Sequence, residues 1–174
     1  MNIANQSSQG DAREFVTANG VTYFTVNTVD KGRTIWSLAG TPGATPQLVA
    51  DVAQGAVFGS PSDISVSGNY LFFWDDTTPN WDGSSPYVVN LTTKVVTELV
   101  ATDDSSLRSE FWSGSSKFVT SGNKVYFFAQ SNRDSDSRLR AWTIGSANGK
   151  TEIIDDLNFE PAGIQEDRKS TRLN

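Results

Sequence analysis

The chain has 174 residues, 37% hydrophobic and 20% charged, the balance of a globular protein with one sizeable core rather than a disordered one. It contains neither cysteine nor histidine. That excludes disulfides, thiolate metal sites, a Ser–His–Asp triad and an imidazole base, leaving carboxylates, Lys, Tyr, Ser and Arg for any chemistry. The net charge of −6 repels phosphate backbones and anionic bilayers, so neither nucleic acid nor membrane insertion is expected of this chain.

Residues 1–13 (MNIANQSSQGDAR) show neither a basic nor an apolar signal-peptide region and read as a disordered or truncated N-terminal segment. From residue 14 onward one pattern occurs three times. FVTANGVTYF (Phe15 to Phe24) returns as ISVSGNYLFF (Ile64 to Phe73) and as FVTSGNKVYF (Phe118 to Phe127), at spacings of 49 and 54 residues. Asn19-Gly20, Gly68-Asn69 and Gly122-Asn123 predict tight hairpin turns, with positive φ expected at both turn positions. The strands that follow, VTYFTV, YLFFWD and KVYFFAQ, are rich in aromatic and β-branched residues.

A third strand is predicted around Trp36 (RTIWSL), Val89 (PYVVNL) and Trp142 (RLRAWTI), each 53 residues from the last. Trp36 and Trp142 are expected to share one place in the repeat and to be core residues. A fourth strand follows a polar turn: QLVADV after Gln47, ELVATD after Glu98 and EIIDDL after Glu152. No window has a sustained 3.6-residue period, so almost no helix is predicted.

Four antiparallel strands recurring about every 50 residues predict an all-β fold, an incomplete β-propeller of about three four-stranded blades. The predicted units are 14–62, 63–116 and 117–160, within a propeller segment 14–166. The physical reason is burial: a blade has two apolar faces and covers neither alone. The last eight residues, DRKSTRLN from Asp167 to Asn174, hold three basic residues and one acidic one. They resemble the conceptual translation of a sequencing adapter, so 167–174 is expected to be foreign and the natural sequence interrupted near Glu166. Met1 is correspondingly expected to be an internal methionine.

IWSLAGTPGATPQLVADV, from Ile35 to Val52, resembles the ELWxxDGT repeat, and Ala53 to Phe73 is similar to that family's linker and next hairpin. Ala39 stands where the family has Asp, Val89 where it has Trp, and the third unit lacks the DGT. TolB-like propeller repeats are a neighbouring resemblance, through NRDSDSRLRAW. The resemblance implies a bacterial propeller that is secreted or attached to the cell surface, and it implies no reaction.

Two segments suggest chemistry. DDTTPNWDGSS, Asp75 to Ser85, places Trp81 and Asp82 beside Asp75 and Asp76, a set that would stack on a sugar ring and accept its hydroxyls. The structural alternative is a solvated loop whose Trp81 packs on the sheet edge. In NRDSDS, Asn132, Asp134 and Asp136 alternate as oxygen ligands for Ca2+ would, although the Gly and Glu of an EF-hand loop are missing. Such Ser/Asp-rich stretches are also ordinary hairpin connections. Adjacent acids such as Asp103 and Asp104 point to opposite faces of a strand, and no catalytic residue is assigned. The function expected is a non-enzymatic extracellular or cell-surface recognition or structural module with a protein or carbohydrate partner. The alternative is a fragment of an extracellular carbohydrate-active enzyme with catalytic carboxylates partly outside this chain.

Overall fold

The computed structural model describes residues 11–28, 31–52, 60–76, 83–109, 117–133 and 137–154. Among these there is no helix, and fourteen strands form three sheets. β1 (Ala12–Ala18), β2 (Val21–Thr28), β3 (Gly32–Ala39) and β4 (Gln47–Ala50) make an antiparallel sheet in sequence order. β5 (Ser62–Ser67), β6 (Tyr70–Asp75), β7 (Ser85–Asn90) and β8 (Val96–Glu98) repeat it. β11 (Val119–Ser121), β12 (Lys124–Ser131), β13 (Arg138–Thr143) and β14 (Lys150–Ile153) do so a third time.

The third sheet departs from the predicted four strands. It gains β9 (Val100–Ala101), which pairs in parallel with β14, and β10 (Leu107–Arg108), which pairs antiparallel with β12. A Val100↔Ser106 bridge joins these two strands, so the connection from the second sheet to the third is itself a hairpin with one strand on each edge of the third sheet. Its reason is burial. Leu99, Ala101 and Leu107, all 5% exposed or less, fill the core between the second and third sheets.

The hairpin turns fall where the sequence puts them, with one correction. Asn19 and Gly20 both have positive φ (52° and 73°), but in the other two turns only the glycines do, Gly68 at 55° and Gly122 at 59°. When glycine comes first in the turn it alone takes the left-handed angle, the pattern of a type II′ turn. Residue order thus selects the turn type.

A second correction concerns register. Leu71 pairs with Val89 and Val125 with Trp142, so those two third-strand residues are equivalent. In the first sheet the equivalent pair is Thr22 and Leu38, while Trp36 pairs with Phe24. Trp36 and Trp142 are therefore two positions apart, though both are buried. A shift of two keeps a side chain on the same face of a strand, and so leaves the aromatic in the core at either position.

The sheets stack in one direction. Tyr23 and Ile35 of the first sheet pack against Leu71, Phe73, Tyr87 and Val89 of the second. The opposite face of the second, with Phe72, Trp74 and Val88, packs against Val125, Phe127, Ala129 and Trp142 of the third. Counted from the hairpin turns, Tyr23, Phe72 and Tyr126 are equivalent, as are Phe24, Phe73 and Phe127. Each sheet thus sets its Tyr23-type face on the Phe24-type face of the next. Because successive side chains of a strand alternate in direction, the unbroken apolar run Leu71-Phe72-Phe73-Trp74 supplies both faces of the middle sheet, each residue 0% exposed.

Candidate functional site

Strands two and three of each sheet are joined at one end of the stack, and the sheet-to-sheet crossovers run at that same end. The Ser109 N–H donates to the Ser84 carbonyl (2.9 Å) while Arg108 faces Gln130, which brings the outgoing ends of β6 and β12 to one side. Asp75, Asp76 and Asn132 all lie at this end.

Asp75 is the last residue of β6 and is buried, 2% exposed, on the face toward the first sheet. The Ser60 N–H donates to its Oδ1 at 2.7 Å. Burial pushes its carboxyl up to about 7, against the pull of the Ser60 N–H, with the charges of Asp76 and Asp51 adding to the rise. Asp51, just after β4, takes an ion pair from Lys31 at 3.1 Å through Oδ2. Its other oxygen, Oδ1, is buried without a hydrogen-bond partner among the described residues. Asp76 is half-buried. Trp81 and Asp82 lie outside the described residues. Chemically, Asp75 is a proton-holding group inside the inter-sheet layer rather than an exposed acceptor for a ligand.

Asn132 follows β12 and is exposed, its N–H bonded to the Ser106 carbonyl at 3.1 Å. Arg133, inside the same NRDSDS segment, reaches Asp103 at 2.8 Å and so ties it to the crossover hairpin. Asp134 and Asp136 lie outside the described residues. Among the described residues no three acidic side chains are grouped to hold a metal ion.

At the opposite end lies a cavity of about 260 Å³ that residue types alone do not announce. It opens between the β7–β8 turn and the β13–β14 turn, over Tyr70, Asn90, Thr93, Trp142 and Asn148. Its polar groups largely satisfy one another. Asn90 Oδ1 accepts from Asn69 Nδ2 (3.1 Å), Thr92 N (3.0 Å) and Thr93 N (3.1 Å), and Trp142 Nε1 donates to the Asn148 carbonyl (2.9 Å). Trp142 is 2% exposed and meets Tyr70 edge-on, so its ring face is spent on packing. The cavity joins residues of the second and third repeats, and only the repeat alignment would have hinted at their meeting.

No protein-family model matches the chain, and no curated protein matches it. The likeness to ELWxxDGT repeats therefore rests on the residues that carry it, Ile35 to Val52. Two of these are now placed: Ile35 is in the core between the first and second sheets, and Trp36 is on the far face of the first.

Proposed function

We propose that this chain is part of a β-propeller of the ELWxxDGT type, a non-enzymatic recognition or structural module outside the cell or on its surface. The observation that supports it best is the one-directional stacking of three four-stranded units, with their longest connections gathered at one end. A scaffold of that kind holds loops in fixed relation while its own residues are spent on packing. β6 and β12 end, and β7 and β13 begin, at this end, and a protein or carbohydrate partner is the ligand class proposed for the connections between them. Burial withdraws Asp75 from the acceptors a partner could reach and leaves half-buried Asp76 as the described carboxylate at the start of this loop.

Titration calorimetry against a panel of bacterial and host oligosaccharides, with reducing ends assayed in parallel, tests this reading. Binding without release of reducing ends, weakened at least ten-fold by Trp81→Ala, is the expected result. Steady release of reducing ends from a polysaccharide would replace it with the enzyme reading.

A further inference from the structure

Repetition allows the two joints between sheets to be compared residue by residue. At the start of β6, Tyr70 pairs with Asn90, as Val21 pairs with Ala39 at the start of β2. Trp142 of the third sheet stands where the second sheet has Val89. The first joint therefore has Val21, Ala39 and Val89 at the places where the second has Tyr70, Asn90 and Trp142. Val21 and Val89 belong to the core between the first two sheets. Tyr70, Asn90 and Trp142 line the cavity of about 260 Å³ between the β7–β8 and β13–β14 turns. The repeat accepts apolar side chains at all three places, so stacking of the sheets does not impose this lining.

Inside the cavity the amide oxygens are occupied and the amide donors are not. Asn90 Oδ1 is held by the Thr92 and Thr93 N–H groups, and Asn148 Oδ1 by the Lys150 N–H at 3.1 Å. An amide whose oxygen is fixed in this way has its NH2 fixed with it. Neither Nδ2 has a hydrogen-bond partner among the described residues once the bonds of Asn69 and Ser146 to the same oxygens are counted. The Tyr70 hydroxyl and Thr97 Oγ1 have none there either. Tyr70 reaches from the second sheet to the turn of the third, where a Cβ on Gly145 would stand 4.0 Å from its hydroxyl. None of the described residues lining the cavity carries a charge.

We propose that this cavity binds one ring of a neutral sugar, whose hydroxyls accept from the Asn90 and Asn148 amides and exchange hydrogen bonds with Tyr70 and Thr97. An uncharged lining on a chain of net charge −6 disfavours anions and offers a cation no carboxylate. Fixed amide donors and rotatable hydroxyls on facing walls suit a ligand rich in hydroxyls, each of them both donor and acceptor. Donors already oriented by their own turns lose little freedom when the ligand arrives. The volume lies just below the roughly 300 Å³ at which pockets for drug-sized ligands begin, which fits one ring rather than a chain of them. The cavity is at the opposite end from the outgoing ends of β6 and β12, and the proposal does not rest on any reading of that end.

Heteronuclear NMR titration with methyl glucoside, methyl galactoside, methyl mannoside and N-acetylglucosamine tests the site, with glucuronate as the charged counterpart. At least one neutral sugar is expected to shift the side-chain amide signals of Asn90 and Asn148 and the Trp142 indole signal along one saturable curve. Glucuronate is expected to bind about ten-fold more weakly or worse. Asn90→Asp and Asn148→Asp keep the oxygen that holds each turn and lose the NH2, so each should melt as a folded protein and bind about ten-fold more weakly or worse. Tyr70→Phe removes one hydroxyl only and should also weaken binding, which keeps the site testable if an Asp variant does not fold. Trp81→Ala should leave this binding unchanged, and so separates it from oligosaccharide binding at the other end. Silence of all three signals with every neutral sugar would overturn the proposal, as would binding untouched by the Asp and Phe substitutions or abolished by Trp81→Ala. Glucuronate bound as tightly as the neutral sugars would overturn the ligand class.

Discussion

Glu14 and Asp63 adopt the same left-handed backbone angle, φ 55° and 51°, at the same bulge in the first strands of two successive sheets. In each case two residues, Glu14-Phe15 or Asp63-Ile64, stand opposite a single residue of the neighbouring strand, Phe24 or Phe73. In the third sheet β10 and β11 both pair with β12, β10 ending at Arg108 and β11 starting at Val119 opposite Tyr126. The bulge bends the strand and re-aims the residue after it into the inter-sheet layer. Ile64 reaches the core by this device.

A left-handed angle tolerates glycine and penalises β-branched residues. Glu14→Gly is therefore expected to leave stability within about 0.5 kcal/mol of the parent, the strain relieved offsetting the entropy of glycine. Glu14→Val should lose roughly 1–2 kcal/mol. Urea midpoints of the two variants would show the difference, and equal midpoints would remove the strain account.

Asp75 should impress a pH dependence on folding. Its folded-state value of about 7 stands above the ordinary 3.8, so between those values the folded chain keeps a proton that the unfolded chain has released. The stability it confers is fully present below pH 3.8 and is lost as pH rises through 7. A decline of roughly 2–3 kcal/mol between pH 5 and 8 is expected. The chain has no histidine to produce such a slope. Asp75→Asn keeps an acceptor for the Ser60 N–H and should flatten it; an unchanged slope in urea melts at several pH values would show that Asp75 does not cause it.

Gly149 lies where β9 crosses to the third sheet, and its carbonyl accepts the Val100 N–H at 2.9 Å. A Cβ at this position would overlap the Glu98 carbonyl oxygen and the backbone around it. Gly149→Ala is expected to cost about 2–4 kcal/mol by forcing β9 away from β14, since neither backbone can yield without losing pairing. Hydrogen exchange should show the Val100 amide losing protection first. Protection retained at Val100 would mean that the two strands can separate without unpairing.

Trp74 and Phe128 test the stacking directly, because they occupy one place in the repeat. Trp74→Ala should destabilise by about 3–5 kcal/mol, the usual cost of emptying a buried aromatic site. Phe128→Ala, at a site 41% exposed on the last sheet, should cost less than Trp74→Ala, by about 2 kcal/mol or more. Thermal melts at low concentration would measure both, and similar costs would argue against the described packing.

Much of this fold was legible in residue order. The Asn/Gly pairs placed the hairpins, and the aromatic runs after them marked the second strands, because turn geometry and β-propensity act over a few residues. Repetition carried the larger inference, since a unit with two apolar faces needs neighbours. The acidic candidates were only partly legible: Asp75 reads as a loop carboxylate beside Trp81, but strand pairing with Ser85 carries it into the inter-sheet layer.

By itself, then, the sequence determined the strands, their turns and the alternation that gives every sheet two apolar faces. These are local properties, decided by period, φ preference and side-chain shape. Tertiary structure alone decided that Leu38 rather than Trp36 is the partner in place of Val89 and Trp142, that β9 leaves its own unit to pair with β14, and that Asp75 is buried while Phe15 and Phe128 are not. Such outcomes depend on which surfaces meet across long stretches of chain, and a residue's burial is a property of its neighbours in space rather than of its place in the order.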